Sequence, residues 1–97
     1  MKKVVVFSQI DQNVLARLQQ NYQVVVLNPK LGEINEQIHT EVVDADAMIG
    51  AGRVLNEKNL ASAQKLKIIS SVSVGYDNYD LNYLNQHNIW LTNTPHV

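Results

Sequence analysis

The chain has 97 residues, a formal net charge of -1 and 45% hydrophobic residues, which is the composition of a single globular domain. Its eight lysines and arginines form no basic stripe, so neither nucleic acid nor a membrane surface is indicated as a partner. No apolar segment approaches transmembrane length, and the lack of cysteine excludes disulfides and zinc-thiolate sites. These features favour a cytoplasmic protein.

Short apolar runs alternate with helical patterns along the chain. Strands are predicted at residues 3–7, 22–27, 45–49, 67–72 and 89–92. Helices are predicted at residues 11–20, 35–43 and 80–86, and a further one after Asn56. Asp11, Asn56 and Asp80 are the predicted N-caps, and Asn88 is a candidate for the residue just past the end of the last helix.

This order of elements predicts an α/β fold. Repeated strand-helix units without a hairpin signal indicate parallel strands joined by right-handed crossovers. We therefore expect a flavodoxin-like, doubly wound five-stranded parallel sheet of order 2-1-3-4-5, with helices on both faces in a Rossmann-like three-layer arrangement. The loops that follow the strands then gather on one rim, where ligands of such sheets bind, and all four glycines (Gly32, Gly50, Gly52, Gly75) follow predicted strands.

The most informative stretch runs from Lys67 to Asp80. An apolar strand pattern breaks at Gly75, passes through a polar turn and restarts as a helical pattern. The consecutive amides of Val74 and Gly75 could hold a carboxylate, because free N–H groups converge at such a turn. Alternatively, Gly75 only supplies a positive φ for the turn.

Other rim residues allow a functional and a structural interpretation. Asp77 and Asp80 could be catalytic carboxylates, but a turn former and an N-cap are the better interpretations. Arg53 could pair with an anionic substrate or be an exposed surface arginine. The Gly50-Ala51-Gly52 run lacks the third glycine of a dinucleotide fingerprint, since that position is Leu55.

Two segments resemble a known family. Residues 67–80, with Ser-Val-Gly-Tyr-Asp-Asn at their centre, and residues 89–95, which end in Asn-Thr-Pro, are similar to the amino-terminal part of the D-isomer-specific 2-hydroxyacid dehydrogenases. The form of the first segment most resembles the glyoxylate/hydroxypyruvate and 2-ketogluconate reductase branch. The resemblance implies a substrate-binding domain, of which residues 1–97 would be the amino-terminal part.

The resemblance also implies a site. In that family the amides matching Val74 and Gly75 hold the carboxylate of a small 2-keto or 2-hydroxy acid, with Ser73 and Arg53 as further candidates for substrate contact. The nucleotide-binding domain, the catalytic arginine and the glutamate–histidine pair have no counterpart in these 97 residues. We therefore expect NAD(H) or NADP(H) to be the cofactor of the parent protein, while this chain alone binds no cofactor or metal and catalyses nothing.

Two further expectations concern partners and alternatives. The resemblance implies a homodimeric parent, whereas this chain should self-associate through apolar surface around Trp90, Leu91 and the first helix. A phosphoacceptor receiver domain is disfavoured because Asp44 and Asp46 lie at the wrong end of the third strand, whose carboxyl end is followed by Gly50 and Ala51. A stand-alone small-anion-binding or regulatory module with the same rim remains the alternative function.

Overall fold

The computed structural model of the chain describes residues 1–51, 55–71 and 79–93. The strands are Lys3–Val6 (β1), Gln23–Val26 (β2), Ala47–Gly50 (β3), Ile68–Ser71 (β4) and Trp90–Asn93 (β5). The helices are Gln12–Asn21 (α1), Ile34–Glu41 (α2), Glu57–Leu60 (α3) and Leu81–Gln86 (α4), with short 3-10 turns at Pro29–Leu31 and Val42–Asp44. All strand pairs are parallel and the sheet order is β2-β1-β3-β4-β5, which confirms the predicted fold.

Side-chain caps fix where the helices start and stop. Asp11 Oδ1 accepts a hydrogen bond from Asn13 N at 2.8 Å, which satisfies one of the free amides at the start of α1. At the end of α4, Asn88 has a φ of 59°, and the Ile89 amide donates to Leu84 O at 2.9 Å. This is a Schellman motif, in which a left-handed residue turns the chain sharply into the next strand.

The middle helices are shorter than their patterns predicted. The helix expected at residues 35–43 runs from Ile34 to Glu41 and tightens into a 3-10 turn. Asn56 caps α3 through a capping box with Asn59, but the helix has only four residues. Residues 61–67, between α3 and β4, form turns and irregular structure. Leu60, the last residue of α3, is nevertheless fully buried.

One face of the sheet carries the hydrophobic core. Val5, Met48 and Ile69 lie side by side on β1, β3 and β4 in register and are all 1% exposed or less. The helices α2, α3 and α4 cover this face and contribute the rest of the cluster, which includes Ile34, Ile38, Val42, Leu60 and Leu84. Burial of this continuous apolar face is the main force that holds the domain together.

The opposite face is covered only in part. Along one row of paired residues on this face, exposure rises from Val4 at 5% to Ile68 at 36% and Trp90 at 74%. The only described helix on this side is α1, whose Leu18 lines a groove with Val4 and Ile68. The pattern of β4 predicted a buried strand, but Ile68 is exposed on this face because no described helix lies over it.

A buried lysine connects the amino ends of the strands. Lys3 is 7% exposed, and its ammonium contacts Glu41 Oε1 at 3.0 Å and Asp44 Oδ1 at 2.6 Å. Its amide donates to Asp46 Oδ2 at 2.9 Å. These groups lie at the end of the sheet opposite the predicted site, so they join β1, the 3-10 turn and β3 without facing the rim.

Candidate functional site

The predicted rim forms where the strands end. Gly50 pairs with Ser71 in the register of β3 and β4, and Ser71 pairs with Asn93 on β5. On the other side of β3, the Phe7 amide donates to Ile49 O at 3.0 Å. The chain therefore leaves β1, β3, β4 and β5 at neighbouring points of one edge, as a parallel sheet requires.

A serine after β1 fixes the loop after β3. Ser8 Oγ accepts a hydrogen bond from Ala51 N at 2.8 Å, across 43 positions of sequence. Beneath it, the Phe7 ring lies against the backbone of Gly50, so close that a Cβ there would be 2.8 Å from the ring. Ser8 lies between the first predicted strand and the first predicted helix, and no role was predicted for it. The available signal was its place after β1, which neighbours β3 in the predicted order.

A second contact joins the far ends of two rim loops. Leu55 and Tyr79 form a parallel bridge, and the amide of Asp80 donates to Leu55 O at 3.2 Å. Described residues on either side of the loops at 52–54 and 72–78 are therefore neighbours, since Gly50 pairs with Ser71 before them and Leu55 pairs with Tyr79 after them. Leu55 is 0% exposed and Tyr79 is 7% exposed, so both return points are held in the core.

The predicted substrate-binding residues belong to these two loops. Arg53 lies in the first, and Ser73, Val74 and Gly75 lie in the second, so all four fall outside the described residues. Their roles stay predictions. What the structure does bring together are the described residues that flank the two loops, namely Gly50 with Ser71 and Leu55 with Tyr79.

The carboxylate that is described at the rim has a structural role. Asp80 Oδ1 accepts a hydrogen bond from Tyr83 N at 3.1 Å and so caps α4, as its N-cap interpretation predicted. Asp77 lies outside the described residues. The capping bond engages the Asp80 oxygen at the helix start, which argues against a catalytic role for this group.

Shifted pKa values lie away from the rim. The hydrogen bond from Lys3 lowers the pKa of Asp44, and the Lys3 amide lowers the pKa of Asp46. Burial lowers the pKa of Lys3, but hydrogen bonds and charges from Asp44 and Glu41 outweigh it and the net pKa is raised. Burial, helped by the charge of Glu57, raises the pKa of Tyr83. These shifts reflect structural contacts rather than an acid–base site.

The glycine run after β3 does not continue into a dinucleotide fingerprint. The fingerprint requires a third glycine so that the backbone and a helix N-terminus can approach the pyrophosphate. Leu55 occupies that position, fully buried and paired with Tyr79, and α3 has only four residues. Among residues 1–51, 55–71 and 79–93, no group of His, Cys, Asp and Glu could hold a metal ion, and no helix is long and apolar enough to cross a membrane.

The sequence matches the model of a known family. The model of the catalytic domain of D-isomer specific 2-hydroxyacid dehydrogenases matches residues 4–97. The chain belongs to this family. The resemblance predicted from residues 67–80 and 89–95 is thereby confirmed.

Two curated relatives align with nearly the whole length of this chain. It is 32% identical over 94 residues to a glyoxylate/hydroxypyruvate reductase B of Serratia proteamaculans and 35% identical over 97 residues to a probable 2-ketogluconate reductase of Dictyostelium discoideum. These matches cover 97% and 99% of this chain but 29% of either relative. The chain thus spans less than a third of the length of these curated relatives.

A solved structure shares the fold of the dehydrogenase domain. The 3-phosphoglycerate dehydrogenase of Entamoeba histolytica, solved with NAD+ bound, matches with a TM-score of 0.81 at 27% identity. The match covers 97% of this chain and 33% of that one. The fold of this chain therefore also occurs in a dehydrogenase solved with NAD+ as its bound cofactor.

Proposed function

We propose that this chain forms the amino-terminal part of the substrate-binding domain of an NAD(P)-dependent D-2-hydroxyacid dehydrogenase. The whole protein would reduce a small 2-keto acid such as glyoxylate, hydroxypyruvate or 2-ketogluconate, which the names of the relatives support. The amides of Val74 and Gly75 would bind the substrate carboxylate, with Ser73 and Arg53 near it. The observation that carries this proposal is the anchoring of both rim loops, at Gly50 and Ser71 and again at Leu55 and Tyr79.

That anchoring matters because a carboxylate clamp built from amides depends on backbone position. Charge-assisted bonds from main-chain N–H groups are strong only when their donors converge on one point. Strand pairing on one side and the buried Leu55–Tyr79 bridge on the other limit how far the ends of the two loops can move. A rim fixed in this way is suited to present amides to an anion with little ordering cost.

The chemistry would need groups from outside this chain. A nicotinamide supplies hydride when bound, and Leu55 stands where a dinucleotide fingerprint would need its third glycine. The task of this chain would be to hold and orient the acid and to form one wall of the cleft. The 97-residue chain alone should therefore show no NAD(P)H-linked turnover of glyoxylate or hydroxypyruvate in a spectrophotometric assay, and measurable turnover would overturn this division of roles.

The proposed carboxylate site can be tested by substituting the residues whose backbone amides would bind the carboxylate. In the full-length protein, Gly75→Val should lower kcat/KM for a keto acid about ten- to a hundredfold, because the added side chain obstructs the approach to the amides and distorts the turn, so that one or two charge-assisted hydrogen bonds are lost. Val74→Ala is the matched control, since it shortens a side chain and adds no obstruction. Parental kcat/KM in Gly75→Val, or a bound substrate analogue whose carboxylate points elsewhere, would contradict the proposal.

We also propose that the chain self-associates and that the whole protein is a homodimer. Self-association is supported by the partly covered sheet face, where Ile68 and Trp90 are exposed. Apolar surface of this kind commonly becomes an interface. The acid itself, a small 2-keto or 2-hydroxy acid, is the other proposed partner.

A further inference from the structure

A cleft lies between α2 and α3, in the helix layer that covers the core of the sheet. Its volume is about 540 Å³, within the range of small-ligand sites. Every residue that lines it is described by the structure, and none belongs to the rim loops at 52–54 and 72–78. All lining residues carry side chains that can form hydrogen bonds, among them Glu36, His39 and Thr40 of α2 and Lys58 and Asn59 of α3.

The floor of this α2–α3 cleft is polar and fixed in place. Asn59 is 5% exposed, and its Oδ1 accepts a hydrogen bond from Asn56 N at 2.9 Å. Its Nδ2 donates to Asn35 Oδ1 on α2 at 3.3 Å. Ser62 Oγ, after α3, donates to His39 O at 2.5 Å. These bonds hold the two walls together, so a ligand would meet a preformed site.

The two walls of the cleft carry opposite charges. Glu36 lies on the α2 wall and Lys58 on the α3 wall. Among the residues that the structure describes, neither charged group has an ion-pair or hydrogen-bond partner. A simple anion would be attracted by Lys58 and repelled by Glu36, and a simple cation would be affected in the opposite way. A molecule that carries one charge of each sign is attracted by both walls.

We propose that the α2–α3 cleft binds a small zwitterion of the α-amino acid class, whose ammonium faces Glu36 and whose carboxylate faces Lys58. His39 and Thr40 follow Glu36 by three and four residues and so share its side of the helix, within reach of a polar amino-acid side chain. The cleft does not favour the 2-keto acids proposed for the rim, because those acids lack an ammonium group. This second site is independent of the proposed carboxylate site.

Glutamine is a suitable probe, because its side-chain amide can both donate to and accept from the lining groups. Binding to the 97-residue chain can be followed by the NMR signals of the Asn59 side-chain amide and the His39 ring. We expect saturable shifts with a Kd of about 1 mM, since both charged partners are exposed to solvent. Shifts that stay linear in glutamine concentration, or that appear only at the Ala51 amide of the rim, would overturn the proposal.

Two analogues of glutamine remove one charge each. N-acetylglutamine keeps the carboxylate and has no ammonium, whereas glutamine amide keeps the ammonium and has no carboxylate. Each should bind about three- to tenfold more weakly than glutamine, because one contact between opposite charges is lost. Equal binding of glutamine and either analogue would contradict the proposal.

Two variants assign each charge of the ligand to its wall. Glu36→Gln should remove the preference for glutamine over N-acetylglutamine, and Lys58→Gln should remove the preference over glutamine amide, while each variant keeps the other preference. Both side chains are exposed, so the fold should be unaffected. Glu57→Gln is the matched control and should keep both preferences, because Glu57 is an exposed carboxylate next to Lys58 that does not line the cleft. The proposal is wrong if folded Glu36→Gln and Lys58→Gln variants keep both preferences, or if Glu57→Gln loses them equally.

Discussion

Gly50 shows how one residue sets the shape of the rim. A Cβ at this position would lie 2.8 Å from two carbons of the Phe7 ring, which is 3% exposed and cannot swing into solvent. We expect Gly50→Ala to lower the free energy of unfolding by about 1–3 kcal/mol, the usual cost of overpacking. Urea denaturation measures this change. A variant as stable as the wild type would show that the ring moves freely.

Gly32→Ala is a useful contrast because its cost has another origin. Gly32 has a φ of 145°, and an added Cβ would meet only Gln37 Nε2 at 3.9 Å. Because residues with a Cβ rarely adopt this φ, backbone strain in Gly32→Ala should lower the free energy of unfolding by about 1–3 kcal/mol. Phe7→Leu in the Gly50→Ala background should recover part of the loss, whereas in the Gly32→Ala background it should only add a cavity.

Tyr79 and Tyr83 differ in the state of their hydroxyl groups. Tyr79 is 7% exposed, and its hydroxyl has no hydrogen-bond partner among the residues that the structure describes. The Tyr83 hydroxyl donates to Leu60 O at 3.3 Å. We expect Tyr79→Phe to raise the free energy of unfolding by about 1–3 kcal/mol, because a buried polar group without a partner is removed.

Tyr83→Phe is the matched control and should lower the free energy of unfolding by about 0.5–1.5 kcal/mol, since it loses a hydrogen bond. Thermal or urea unfolding of both variants measures the contrast. Destabilisation by Tyr79→Phe would mean that its hydroxyl is satisfied in solution.

At the scale of elements, the contacts of Lys3 with Glu41, Asp44 and Asp46 (the Lys3 network) hold β1 against β3 and the turn after α2. Because these groups titrate, this contact between elements depends on pH. The pKa values of Asp44 and Asp46 are lowered in the folded state, so their contribution is present above the unfolded pKa of about 3.9 and is lost as pH falls below it. The pKa of Lys3 is raised, so its contribution is present below about 10.4 and is lost as pH rises through the folded value.

We therefore expect Asp46→Asn to flatten the acid limb of the stability curve, because the amide oxygen still accepts from the Lys3 backbone but no longer titrates. Urea midpoints between pH 2 and 7 measure the slope, about where carboxylates titrate. Asp11→Asn is the control, since it removes a charge and keeps an N-cap. The network would have no part in acid unfolding if Asp46→Asn and the wild type lost stability in parallel.

Most of the elements could be predicted because their signals are local. Strand runs, the Asp11 and Asp80 caps and the left-handed Asn88 depend on residues within a few positions of one another, and all were found. The contacts that shape the rim could not be predicted. Ser8 meets Ala51 from 43 positions away, and Leu55 pairs with Tyr79 outside any of the five strands.

The register also decides which apolar residues are exposed. Trp90 and Leu91 were both expected at the surface, but successive strand residues point to opposite faces. Trp90 is 74% exposed, as predicted, whereas Leu91 packs partly buried against the core, so that half of the prediction was wrong. Composition alone could not show which face of the sheet is buried and which is exposed, because both faces carry apolar residues.

At the scale of the whole molecule, the partly covered face predicts self-association. In a doubly wound sheet both faces are normally covered, yet exposure here rises from Val4 toward β5 and reaches 74% at Trp90. Two copies that place these faces together would remove the row from water, and a symmetric pair needs only one such surface. We expect sedimentation at micromolar concentration to show a species larger than the monomer.

A single charge introduced on this face should weaken self-association while the domain stays folded. Trp90→Lys and Ile68→Lys place an ammonium where the two copies would meet, so each should shift the sedimentation profile toward the monomer. Leu31→Lys is the matched control: Leu31 is 78% exposed in the 3-10 turn after β2, away from this row, and its replacement should leave association unchanged. A wild-type monomer that binds no apolar dye would show that α1 and the sheet shield this face without a partner. Association that Trp90→Lys and Leu31→Lys weaken equally would place the interface elsewhere.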